Sequence, residues 1–218
     1  MKFINHSFIT LLILCLSVGA YAQSGFLSAS SFSATELAAA NTAAPALYLS
    51  STEKEMIQYL NLARLYPEKF AKVYLAHLKK NDPSGYAKFK KRDKYYYGLY
   101  KDLLATSKKN LQALQPSAKM FHLAKCWAKE SGTKGLTGHD RQDCKGGHFA
   151  ECCSYAWNKN PMKHILQLLV DENVASLGHR KIMLSNYKSV GISMQPHKRY
   201  SYCSVLDFSG TGSALAKN

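Results

Sequence analysis

Val190-Gly191-Ile192-Ser193-Met194, then Gln195-Pro196-His197-Lys198, and past Arg199 the run Tyr200-Ser201-Tyr202-Cys203-Ser204-Val205-Leu206-Asp207-Phe208 form the stretch that decides the fold. Two strand-like runs joined by a short polar segment are a hairpin signal. Upstream of it the chain reads as helices. Asn160-Pro161 opens one, with Ile165, Leu166, Leu169 and Val170 on its buried side and Asn173 as its stop. Ser117 caps another, in which Met120, Leu123, Ala124, Trp127 and Ala128 recur at helical spacing to an end near Gly132. Thr52 with Glu55 fits a capping box for a third, whose Met56, Leu60 and Ala63 share a face and which ends at Tyr66. Pro67 suits the first turn of a fourth, running towards Leu78. No internal repeat is present. The order helix, helix, basic insert, helix, Cys/Gly-rich loop, helix, hairpin predicts an α+β fold, helices packed on a small antiparallel sheet.

The N-terminus carries one charge at Lys2, an apolar run over residues 8–18, and then Ala20-Tyr21-Ala22. This is the pattern of a signal peptide over residues 1–22, cleaved after Ala22. The run is shorter than the about 20 apolar residues a membrane span needs, so a secreted or periplasmic protein with no membrane span is expected. Cys15 lies in the run without the small residues that precede a lipidated cysteine. Residues 23–50, rich in Ser and Ala, read as a mobile leader or linker. One domain over 51–210 and a tail over 211–218 complete the chain.

The formal net charge of +15 becomes +14 without Lys2, which favours anionic partners. Within residues 79–110, Lys88, Lys90, Lys91, Arg92 and Lys94 interleave with Tyr86, Phe89, Tyr95, Tyr96, Tyr97 and Tyr100. Such a basic aromatic insert suits a phosphate or sulfate polymer or an anionic surface. Its plainer reading is solvated lysines over tyrosines that pack on the core. Five cysteines follow the signal: Cys126, Cys144, Cys152, Cys153 and Cys203. An odd number leaves at least one unpaired in the chain. Cys152 and Cys153 are adjacent and poorly placed to bridge each other, so two separate bridges drawing on Cys126, Cys144 and Cys203 are expected, with connectivity open.

Histidine meets acid or glycine at Gly138-His139-Asp140, Gly147-His148-Phe149-Ala150-Glu151, Asp171-Glu172-Asn173 and Gly178-His179-Arg180. These residue types build zinc sites and acid/base pairs. Asp171 and Glu172 fall in the last turn of a predicted helix, where the dipole opposes a negative charge by about 0.3–1 kcal/mol each. A salt bridge to Arg180 or Lys181, a bound cation, or His179 would offset that cost. No His-Glu-x-x-His run, Gly-x-Ser-x-Gly elbow or Gly-rich phosphate loop occurs, so the commonest hydrolase signatures are missing.

Tyr59-Leu60-Asn61-Leu62-Ala63-Arg64, Leu114-Gln115-Pro116-Ser117, His139, Glu151, Ser176-Leu177-Gly178-His179-Arg180-Lys181-Ile182 and the terminal hairpin resemble, in order and spacing, the CAP (SCP-like) superfamily. The resemblance implies a three-layer α-β-α sandwich with a central antiparallel sheet. It also implies a cleft of two histidines and two acids that binds a divalent metal, such as zinc, in some members. By position His139 and His179 match the histidines, Glu151 the first acid, and Asp171 or Glu172 the second. Ala150-Glu151-Cys152 departs from the usual Gly-Glu-Asn, and the animal-type Gly-His-Tyr-Thr-Gln-Val-Val-Trp run is missing, so the chain looks closer to bacterial members. Three functions follow as expectations. The first is a binding module whose cleft holds a cation or a small lipid, glycan or peptide ligand. The second is a metal-assisted, peptidase-like hydrolase using His139, Glu151 and His179. The third is a purely structural secreted domain.

Overall fold

The computed structural model describes residues 31–144 and 149–210; the signal peptide, the tail and His148 lie outside the described residues. Residues 31–50 are no loose leader. Ser33 and Glu36 form a capping box for α1 (Ala34–Ala40), and Phe32, Ala40, Ala43, Ala46 and Leu49 are buried. The Ser/Ala composition that suggests a linker instead lets this segment lie close against the next helix, where Asn61 donates to the Ala40 carbonyl at 3.0 Å.

That helix, α2 (Ser51–Leu65), is capped by Ser50 with Glu53, two residues before the expected Thr52 and Glu55. Glu53 also accepts from the backbone N–H of Met194 at 2.9 Å, tying the helix start to the sheet. Tyr66 ends α2 and Pro67 opens α3 (Pro67–Asn81), as expected. The basic insert folds into α4 (Pro83–Lys90) and α5 (Tyr96–Thr106). Asp82 accepts from the N–H of Gly85 at the start of α4, and Asp93 from those of Tyr95 and Tyr96 at the start of α5. Tyr86, Phe89, Tyr95, Tyr96 and Tyr100 pack against the core.

Helix α6 (Ala118–Lys134) begins at the Ser117 cap and passes through Gly132 to a left-handed Gly135. The sheet has the order β1 (Gln115–Pro116), β3 (Ser189–His197), β4 (Ser201–Ser209), β2 (Ala150–Ala156). β3, β4 and β2 are antiparallel, whereas β1 runs parallel to β3, so the sheet is mixed and not wholly antiparallel. The hairpin turn lies after His197, because the ladder continues through Gln195 and Pro196.

Helices cover both faces. α6 packs on one, α2 and α7 (Pro161–Val170) on the other. The two-residue alternation of strands sorts the side chains. Val190, Ile192, Cys152, Leu206 and Phe208 join the main core, while Cys153, Cys203 and Val205 meet Ala124, Trp127 and Ala128 of α6. Cys126 bridges to Cys144, but the expected second disulfide does not form: Cys152, Cys153 and Cys203 are buried thiols. Neighbouring positions on β2 send Cys152 and Cys153 to opposite faces, and Cys203 stands opposite Tyr155. Among the described residues no helix is long and apolar enough to cross a membrane.

Candidate functional site

Two histidine–carboxylate pairs face each other. His139 Nδ1 lies 2.7 Å from Glu151 Oε1, His179 Nδ1 lies 2.7 Å from Asp171 Oδ1, and the two ring centroids are 5.9 Å apart. Each Nδ1–H donates to its carboxylate, which leaves Nε2 as the lone-pair nitrogen. The His139 side chain is 54 % exposed and that of His179 18 %, over acids buried to 8 and 1 %.

The Asp171 pair is organised by the backbone. Helix α7 stops at Val170, not at Asn173, and Asp171 takes the left-handed cap position at φ 57°. From there its Oδ2 accepts the backbone N–H of His179 at 3.0 Å and of Arg180 at 3.3 Å, at the start of α8 (Gly178–Met183). The dipole cost expected for an acid in a last turn is therefore avoided, since Asp171 meets backbone donors of the following helix. The expected salt bridge from Arg180 takes another form. Its guanidinium binds the Leu169, Val170 and Tyr95 carbonyls and Asp102 Oδ2, so that Arg180 closes the C-terminal end of α7 and holds its neighbour His179. Glu172 is turned away, bonded to Lys88 and, at 2.9 Å, to the Tyr96 hydroxyl; Asp171 is the acid of the cleft.

The Glu151 pair contains two residues the sequence reading did not single out for the site. Arg141 binds Glu151 through Nε at 2.8 Å and through a second nitrogen, and binds both oxygens of Asp207 at 2.9 and 2.8 Å. Its guanidinium also stacks on Phe149 at 4.7 Å. Burial pushes the Asp207 carboxyl up to about 8, against the opposing pull of Arg141 and with the help of Glu151. Burial would also raise Glu151, but the hydrogen bond from His139 and the charge of Arg141 outweigh it and hold Glu151 low. A charged residue in the apolar strand Val205-Leu206-Asp207-Phe208 was the available signal for this cluster.

The family model described as CAP, cysteine-rich secretory protein family, matches residues 57–208. This chain belongs to the CAP family. No curated protein and no solved structure matches it. The residues that carry the CAP resemblance have visible structural work. Asn61 joins Ala40, Thr42 and Leu114. The buried Arg64 donates to the carbonyls of Gln112, Met183, Ser185 and Tyr187, fastening α2 to the segment that follows α8.

Two donor sets of this CAP domain bear on a metal. His139, Glu151 and Cys153 offer ligand atoms within 4.8 Å of one another. Burial raises the Cys153 thiol well above its ordinary range, and Arg141 already occupies Glu151, so this trio is poorly suited to a cation. The imidazoles of His139 and His179, each held through Nδ1 by a carboxylate, leave their Nε2 lone pairs as a second possible donor set.

Proposed function

We propose that this CAP domain is a secreted binding module whose cleft holds a divalent cation, or a small ligand, between His139 and His179. The observation that carries the reading is the pairing of each Nδ1 with a buried carboxylate at 2.7 Å, which orients both rings and leaves each Nε2 lone pair free to bind. Glu151 and Asp171 act here as the partners that orient the imidazoles. A bound divalent cation would supply a Lewis-acidic point of attachment for a ligand carboxylate, hydroxyl or carbonyl. Secretion is supported by the signal pattern before Ala22 and by the Cys126–Cys144 disulfide. Lys90, Lys91, Arg92 and Lys94, exposed on the basic insert, supply an anionic-surface contact, whereas Lys88 is already paired with Glu172.

The hydrolase reading has less support. A general base works best with a pKa near the operating pH, and Glu151 is held low by His139 and Arg141. The test is calorimetric titration of zinc into the mature domain and into a His139→Ala, His179→Ala variant. Micromolar or tighter binding that the variant loses supports the cleft as a cation site. Equal binding by both proteins, or none by either, removes the cation half of the reading.

A further inference from the structure

Trp157 is 68 % exposed, directly after β2. Its position is supported from below. The ring lies 5.9 Å from Tyr200, which lies 5.5 Å from both Tyr155 and His197. His197 is buried and bonded to the Leu136 carbonyl at 2.8 Å. The indole is thus held out to water on an anchored stack of rings.

The charged side chains stacked on its tyrosines are basic. Lys159 stands over Tyr202 at 5.0 Å and Arg199 over Tyr200 at 5.6 Å, with Lys198 exposed beside them. Between residues 152 and 206 the only acids are Asp171 and Glu172, and both are engaged, by His179 and by Lys88. At the adjoining end of α6, Lys134 pairs with Glu130 and Asp143. An exposed Trp over half-buried Tyr, mixed with Lys and Arg, matches the boundary between water and an anionic bilayer, where the indole sits among headgroups and the cations meet lipid phosphate.

We propose that Trp157, with Tyr200, Tyr202, Lys159, Lys198 and Arg199 around it, docks this protein on an anionic lipid surface. A glycan platform is less well served, because Arg199 and Lys159 already cover the tyrosine faces on which a sugar would stack. Ala156, next to Trp157, lies five positions along β2 from Glu151, about 17 Å at strand rise, so docking leaves the histidine cleft open. The inference does not depend on a cation in that cleft.

The protein carries its own probe. Of its two tryptophans Trp127 is fully buried, so a change in emission reports Trp157. Phosphatidylglycerol vesicles should shift emission to the blue, while pure phosphatidylcholine vesicles, heparin and inorganic phosphate should not. Trp157→Ala should sediment with phosphatidylglycerol vesicles about tenfold more weakly. Reversing Lys159 and Arg199 to Glu should cost at least about fivefold per cation. Emission unmoved by phosphatidylglycerol, an equal shift with heparin, or wild-type sedimentation of Trp157→Ala would each overturn the proposal.

Discussion

Glu151 and Asp207 stand opposite each other in the ladder of β2 and β4, and one guanidinium, that of Arg141, binds both. Two buried acids on neighbouring strands cannot both ionise readily, so Glu151 carries the charge while Asp207 is pushed towards its protonated form. Arg141 makes the arrangement tolerable, and through Glu151 it also orients His139.

Arg141→Leu should therefore destabilise the domain by about 3–5 kcal/mol at neutral pH, chiefly because the ionised Glu151 is left buried without its cation, Asp207 being largely protonated there. A carboxyl whose folded pKa is raised costs stability above its unfolded value of about 4 and costs nothing below it. The penalty should accordingly shrink as pH falls towards 4, and Asp207→Asn added to Arg141→Leu should recover part of it. Urea unfolding of the three proteins across that range checks both statements.

Glu130 has the opposite sign. Burial would raise its carboxyl, but Lys134 and the backbone N–H groups of Asp143 and Cys144 bring it down to about 2. Its contribution is present above the ordinary carboxyl range and disappears as pH falls from about 4.5 to about 2. Glu130→Gln should cost roughly 2 kcal/mol at pH 7, the scale of hydrogen bonds to a charged group. Near pH 2 the two proteins should unfold at the same denaturant concentration.

Gly191 tests the contact between sheet and α6. A Cβ there would lie 1.9 Å from the backbone nitrogen of Phe121 and 2.1 Å from the carbonyl carbon of Met120. Neither atom can yield without moving the helix. Gly191→Ala should lower stability by about 2 kcal/mol or more, whereas Gly210→Ala, with nothing within 4 Å, should leave the melting temperature unchanged.

The cysteines divide by reactivity. Replacing Cys126 and Cys144 by Ser opens a loop of 18-residue separation and should cost about 3 kcal/mol. Cys152, Cys153 and Cys203 are buried, and burial raises all three thiols. A thiol reagent should leave them unmodified in the native mature protein and titrate three groups once the chain is unfolded. Fast native modification of any of them would contradict the packing described.

How much was legible in the sequence differs by element. Pro67 after Tyr66, Ser117 before α6 and the paired runs at the C-terminus are read correctly because propensity and capping act within a few residues. The 31–50 segment misleads because Ser and Ala suit both a linker and a close-packed helix, and only a partner surface separates the two. Thr52 and Ser50 each have a glutamate three residues on, and the choice falls to Ser50, whose Glu53 also meets Met194 in the sheet.

By itself the sequence pointed to the α+β class, the CAP family and three candidate cleft residues, His139, Glu151 and His179, with Asp171 or Glu172 left open as the fourth. Tertiary structure decided which acid of the Asp171-Glu172 pair enters the cleft, through a left-handed turn that points one inward and sends the other to Lys88. It also decided that Arg141 and Asp207 join the Glu151 cluster and that, among the described residues, one disulfide forms. Each of these depends on which face of a strand a side chain takes and what stands across from it, distances set by partners far away in the chain.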